Sequence, residues 1–158
     1  MTQEESEKLA EFQTVFTLNQ PVVATVSKNH PLADANFLRL YECLEFPFTL
    51  PSRPSGLRSL VENARVKQGL ATPPRLQSNR PDLIDHASEL GDLLAFDLPI
   101  NLETLENSSG RTFIKIDPRD VKPGFLFVGH LKGRALPVAA ARFMEEVVEA
   151  LAHLEQTV

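Results

Sequence analysis

Short runs of β-branched and aromatic residues alternate along the chain with stretches whose apolar positions recur at helical spacing, and Pro or Gly marks most of the changes. Phe12 to Leu18 and Pro21 to Val26 (PVVATV) predict two strands, the second dominated by β-branched residues. The loop SKNHPLA ends the second strand, because Pro31 cannot donate to a central ladder. Phe37, Leu38, Leu40, Tyr41 and Leu44 then fall at helical spacing. Phe46 to Leu50 predicts a further strand, broken at Pro51. Behind it, Leu57, Leu60, Val61 and Ala64 share one helix face that closes at Gly69. Arg75 to Ser78 reads as a short strand, and Leu83, Ile84, Ala87 and Leu90 mark a helix with Asp82 in its first turn, ending near Gly91. Leu93 to Leu98 is apolar enough for a buried strand, stopped at Pro99. Phe46 to Leu98 therefore predicts strand–helix–strand–helix–strand, the pattern of parallel strands joined by right-handed crossover helices.

Two more strands are expected at Thr112 to Ile116 and Phe125 to Leu131, separated by the turn-rich DPRDVKPG. The last helix begins near Pro137 and gathers Ala140, Met144, Val147, Val148, Leu151 and Leu154 on one face. Glu4 to Glu11 carries the charge of a short helix but little apolar content.

Composition narrows the class. A chain of 158 residues, 42% hydrophobic and 23% charged, suits one core or two small lobes. A net charge of −5 argues against direct binding to a nucleic-acid backbone, which needs a basic patch. Arg53, Arg58, Arg65, Lys67, Arg75 and Arg80 lean toward the middle but are mixed with acids, as on a solvated surface. The single cysteine, Cys43, lies in an apolar helical context beside Glu42 and Glu45 and is expected to be a buried packing residue. The acidic start MTQEESEKLAEF lacks the apolar run of a signal peptide, and no stretch is long enough to span a membrane, so a cytoplasmic location is expected.

Candidate chemistry concentrates at FPFTLPSRPSGLR, Phe46 to Arg58. A strand that breaks at Pro51 and runs into a helix opened by Pro54 and Ser55 aims free backbone N–H groups and the positive helix end at one point, a pocket for a carboxylate or other small anion. The same residues also serve as a plain capped helix start. His30, His86, His130 and His153 are scattered without HxxxH or HxH spacing, so no metal site is expected. GxSxG, GxGxxG and GxxxxGK[ST] are missing, Ser108-Ser109-Gly110 is a polar turn, and Glu145, Glu146 and Glu149 form a solvated helix face. Neither an enzyme nor a cofactor is expected.

The order VVATVSKNHPLA, a short helix, FPFTLPSRPSGLR, Gly91 to Pro99, then GRALPVAAARFMEEVVEAL resembles the effector-binding (substrate-binding) domain of LysR-type transcriptional regulators, over about Val15 to Leu151. The resemblance implies an α/β fold like the type 2 periplasmic binding proteins, with two lobes and the ligand between them. Residues 44–117 would form the complete second lobe, with a parallel-rich sheet. Residues 1–43 and 118–158 would be an incomplete first lobe. Carried onto this chain, the ligand-binding residues would be Pro51, Ser52, Arg53, Pro54, Ser55 and Gly56, with Gln77, Ser78 and Asn79 as a second wall and Phe96 to Pro99 as a third.

The function implied is a ligand-sensing and oligomerising domain for a small, anionic metabolite, forming a homodimer or higher oligomer. DNA would be reached only through a winged helix-turn-helix domain that this chain does not contain. The alternative is a truncated, non-sensing dimerisation module that modulates a full-length regulator.

Overall fold

Among the described residues of the computed structural model (10–89, 91–101 and 110–156), the chain runs through β1 (Phe12–Gln20), β2 (Val23–Ser27), β3 (Phe37–Leu38), α1 (Leu40–Cys43), β4 (Phe48–Leu50) and α2 (Gly56–Lys67). It continues through β5 (Leu76–Gln77), α3 (Pro81–Glu89), β6 (Leu94–Asp97), β7 (Arg111–Ile116), β8 (Gly124–Leu131) and α4 (Val138–Gln156). The expected helix at Glu4 to Glu11, for all but its last two residues, and the turn residues Ser108 and Ser109 lie outside the described residues. The chain divides into two compact units, one of residues Gln20–Gly124 and one of Met1–Asn19 with Phe125–Val158.

In the larger unit six strands form a mixed sheet in the order β3-β7-β2-β6-β4-β5. β5, β4 and β6 are mutually parallel, as the strand–helix–strand–helix–strand pattern predicts. β2 runs antiparallel to both of its neighbours, β6 and β7. One sheet face carries Ala24, Val26, Phe48, Leu94, Phe96 and Ile114, packed with Leu40 and Cys43 of α1 and Val61 and Ala64 of α2. Phe48 is fully buried and meets Phe96 edge-to-face at 6.0 Å between centroids. Burying such a ring stabilises by about 1.5–3 kcal/mol. Cys43 belongs to this core, and burial pushes its thiol pKa up to about 12, which makes it the inert packing residue expected.

Two sequence expectations change here. Residues 20–43 and 118–124, grouped above with the first lobe, belong to the larger unit, because β2 is an internal strand of its sheet. The helical spacing from Phe37 yields a strand first. Phe37 and Leu38 pair in parallel with Lys115 and Ile116, and the helix is confined to Leu40–Cys43. Asp120 enforces that boundary: its carboxylate accepts from Arg39 Nε and Nη2 at 2.7 and 2.8 Å and from the Leu40 N–H at 2.9 Å. The Glu42 carboxylate also accepts from the Arg39 N–H at 2.7 Å, closing the helix start.

α2 starts and stops as its sequence predicts. Ser55 is extended, and its Oγ accepts from the Arg58 N–H at 3.2 Å. At the far end Gly69 has φ +69°, its N–H donates to Val66 O at 3.1 Å, and Leu70 N–H donates to Arg65 O at 2.9 Å. Those two bonds satisfy last-turn carbonyls and need the left-handed residue that glycine supplies without strain. The HPLA loop is held from within: His30 is buried, Leu32 N–H donates to its Nδ1 at 3.1 Å, and its Nε2 lies 3.1 Å from the Asp92 carbonyl.

In the smaller unit β1 and β8 form a two-stranded sheet beside α4. Gly129 is needed where the strands meet, since a Cβ there would lie 2.1 Å from Gln13 O. On α4, Met144, Val147, Val148, Leu151 and Leu154 are half-buried, and Ala140 is exposed. Phe125 and Phe127 stack at 6.2 Å, 57% and 42% exposed, and Phe143 is 71% exposed. No helix among the described residues is long and apolar enough to cross a membrane.

Candidate ligand-binding site

Strand pairing sets Thr25 opposite Ala95 and Ala95 opposite Thr49, one row across β2, β6 and β4. Directly paired residues present their side chains to the same face, here the face opposite the Val26 and Phe48 core. Alanine between two threonines leaves a hollow, and all three residues line a cavity of about 400 Å³. Leu50, Pro51, Phe96 and Asp97 line it from the carboxyl ends of β4 and β6, with Ser78 and Asn79 just past β5. Ligands of open α/β sheets occupy this position as a rule. Ser55 and Leu57 contribute from the start of α2, Pro81, Ile84 and Asp85 from α3, and Arg111 from β7.

Thr25 and Thr49 are 1% and 2% exposed, and neither hydroxyl has a hydrogen-bond partner among the described residues. Leaving a buried hydroxyl unpaired costs about 1–3 kcal/mol. Two such groups on one cavity wall mark a polar surface built to be completed from inside the cavity. A third unpaired buried atom, Arg65 Nε, lies elsewhere; its guanidinium sits over the Phe48 ring at 5.5 Å.

The remaining polar groups divide into those already occupied and those still open. Ser55 O accepts from the Ser59 N–H at 2.9 Å, while the amides of Gly56 and Leu57, which open the helix, meet no partner among the described residues. Asp97 Oδ1 accepts from the Leu98 N–H at 2.7 Å. Arg111 Nη1 is paired with Asp85 Oδ1 at 2.6 Å.

The sequence-predicted residues separate accordingly. Pro51, Ser55, Ser78 and Asn79 line the cavity, and so do Phe96 and Asp97 of the third wall. Ser52, Arg53, Pro54, Gly56 and Gln77 are not among its lining residues. Ser52 and Arg53 form a bend ahead of Pro54, all three exposed, and Arg53 N–H donates to Asn79 Oδ1 just past β5 at 3.3 Å. Gln77 Oε1 accepts from Arg58 Nη1 at 2.8 Å in an exposed contact. Sequence reasoning missed Thr25, Thr49, Asp85 and Arg111. The threonines did carry a signal, each being the polar residue inside an otherwise apolar strand, PVVATV or FPFTL. Among the described residues no group of His, Cys, Asp and Glu could hold a metal ion.

Residues 4–152 match the family described as "LysR substrate binding domain". No curated protein matches the chain at a significant level. Solved structures with the same fold include the effector binding domain of QuiR in complex with shikimate, at 16% identity and a TM-score of 0.72, covering 93% of this chain and 68% of that one. The regulatory domain of CcmR from Synechocystis PCC6803, in complex with 2-PG, aligns at 22% identity and a TM-score of 0.69, over 89% of this chain and 66% of that one. The BenM effector binding domain with its effector benzoate aligns at 13% identity and a TM-score of 0.64, over 100% of this chain and 78% of that one. The chain thus spans about two thirds of the length of the QuiR and CcmR domains and 58% of a putative LysR family transcriptional regulator from Pseudomonas aeruginosa. The fold is α/β, of the type 2 periplasmic-binding-protein class, and with a match over nearly its whole length the chain belongs to the LysR substrate binding domain family.

Proposed function

We propose that this chain is the ligand-sensing and oligomerising part of a LysR-type transcriptional regulator, acting in the cytoplasm and binding a small anionic metabolite in the cavity over Thr25, Ala95 and Thr49. The observation that carries the reading is the pair of buried, unpartnered threonine hydroxyls lining a cavity at the carboxyl ends of parallel strands. The amide end of α2, with Ser55 beside it, offers the complementary positive pole for a carboxylate. Shikimate, 2-PG and benzoate, bound by related domains, are small molecules, which supports the size class. The larger unit, Gln20–Gly124, supplies this cavity wall through Thr25 of β2, Thr49 of β4 and Ala95 of β6. The chain has no catalytic role. A ligand that favours one arrangement of the domain over another passes its signal to a DNA-binding module elsewhere in the regulator.

Calorimetric titration against a panel including shikimate and benzoate tests this. At least one small carboxylate should bind, and Ser55→Ala should weaken it while Arg53→Ala leaves it unchanged. A folded chain that binds no member of the panel contradicts the reading.

The second reading, a non-sensing dimerisation module that modulates a full-length regulator, is favoured by exposed Val15, Phe125, Phe127 and Phe143 in the smaller unit. Sedimentation at micromolar concentration, read together with the titration, separates the two. A dimer that binds no ligand supports the module, and a monomer excludes it.

A further inference from the structure

Among the described residues that line the cavity one is a cation, Arg111, and it is already engaged. Arg111 is 16% exposed at its side chain, pairs with Asp85 at 2.6 Å, and shares the cavity wall with it. Register puts Arg111 opposite Ser27, two residues along from the Thr25–Phe113 pair, so its side chain leaves the sheet on the threonine face. Asp85 sits on α3, whose Ile84 also lines the cavity. The ion pair therefore ties α3 to the sheet across the edge of the pocket.

We propose that Asp85 is an internal competitor for Arg111: a carboxylate ligand takes over the Arg111 guanidinium, displaces Asp85, and thereby frees α3 from its tie to the sheet. The proposal rests on the cavity being the ligand site, and it adds the residue that sets charge selectivity and the helix that reports occupancy. The physical argument is one of exchange. A half-exposed aspartate held by one guanidinium contact is a weak partner, because water screens it and its release costs little. A carboxylate held by the threonine hydroxyls and the α2 amides reaches the same guanidinium with further bonds that Asp85 does not make, including the planar two-bond fork. A neutral ligand gains nothing from the exchange and leaves the tie intact. The differential contact is what allows binding to shift the position of α3.

The test uses the 158-residue chain, with shikimate and benzoate as probes and their methyl esters as uncharged counterparts. Removing the competitor in Asp85→Asn should tighten carboxylate binding by about threefold to fivefold, the range of a partly exposed ion pair. Arg111→Gln should weaken it by about tenfold or more, as loss of a charge-assisted bond does. Ester binding should respond to neither change. Arg111→Lys, which keeps the charge and loses the fork, should fall between. Hydrogen exchange within Pro81–Glu89 should rise on carboxylate binding to the wild-type chain. Carboxylate binding that is the same in wild type, Asp85→Asn and Arg111→Gln overturns this inference and leaves the ligand site standing. No binding of any probe to the folded wild-type chain overturns both.

Discussion

Thr25 and Thr49 stand on either side of Ala95 in a single row of the sheet, each buried, each with an unpaired hydroxyl, and each lining the same cavity. An ordinary strand face would place valine there, since Val is as β-branched as Thr and brings no polar atom to satisfy. The hydroxyls are thus a standing cost in the ligand-free protein, repaid only by a partner in the cavity. Thr25→Val or Thr49→Val should raise ligand-free stability, by up to about 1 kcal/mol per site in urea unfolding, and weaken ligand binding by about fivefold to tenfold. A valine variant that is destabilised yet binds normally contradicts this assignment.

Acid should loosen the junction between β3, α1 and the turn after β7. Hydrogen bonds from the Arg119 guanidinium hold the Asp117 carboxyl at about 2, and hydrogen bonds from Arg39 lower that of Asp120. Because both are depressed relative to an unfolded aspartate near pH 3.9, the stability they contribute is fully present above about pH 4. It is lost as pH falls toward 2, when the folded state must also take up the protons. Urea midpoints measured between pH 7 and pH 2 should be flat at first and then fall below about pH 4. Asp120→Asn should lower the midpoint at neutral pH and flatten the acid slope. An acid slope unchanged in that variant rules Asp120 out as its source.

Loop 28–35 depends on one side chain. The Leu32 amide bonded to His30 Nδ1 puts the proton on Nε2, which donates to the Asp92 carbonyl, and the ring packs on Phe46 at 4.8 Å between centroids. His30→Ala breaks both bonds and empties the contact, so a loss of about 2–4 kcal/mol is expected, measured as the drop in urea unfolding free energy. A change within experimental error contradicts the anchoring role.

The smaller unit has its own test. At Gly129 an added methyl meets the Gln13 carbonyl at 2.1 Å and the Phe12 ring at 2.8 Å. Backbone cannot retreat as a flexible side chain can, so Gly129→Ala should push β8 away from β1. Amide exchange should accelerate in both strands, with a cost of about 1–3 kcal/mol. Exchange in the sheet of the larger unit serves as the control, and acceleration there alone argues against the assignment.

Local sequence signals suffice where local physics decides. Ser55 and Gly69 bound α2 because a cap hydroxyl and a left-handed residue act within a few positions of themselves. The parallel set β5, β4 and β6 follows from consecutive strand–helix units. The helical reading of Phe37 and Leu38 failed because two residues carry almost no periodicity, and their pairing with Lys115 and Ile116 lies far along the chain. The site was half legible for the same reason. Pro51, Ser55, Ser78 and Asn79 sit at breaks visible in the sequence, whereas Thr25, Thr49, Asp85 and Arg111 converge only once β2 is inserted between β6 and β7. Nothing near Arg53 indicated that its side chain would stay outside the cavity while a residue of β7 supplied the charge.

Amide chemical-shift mapping of the labelled chain, titrated with a carboxylate that binds it, tests the central claim most directly. Perturbations should centre on Thr25, Thr49 to Leu57, Ser78 to Asp85 and Ala95 to Asp97, and should collapse in the Thr25→Val, Thr49→Val double variant. Shifts that map instead to the far side of α2, around Asn63, Lys67 and Lys122, and persist in that variant would contradict it.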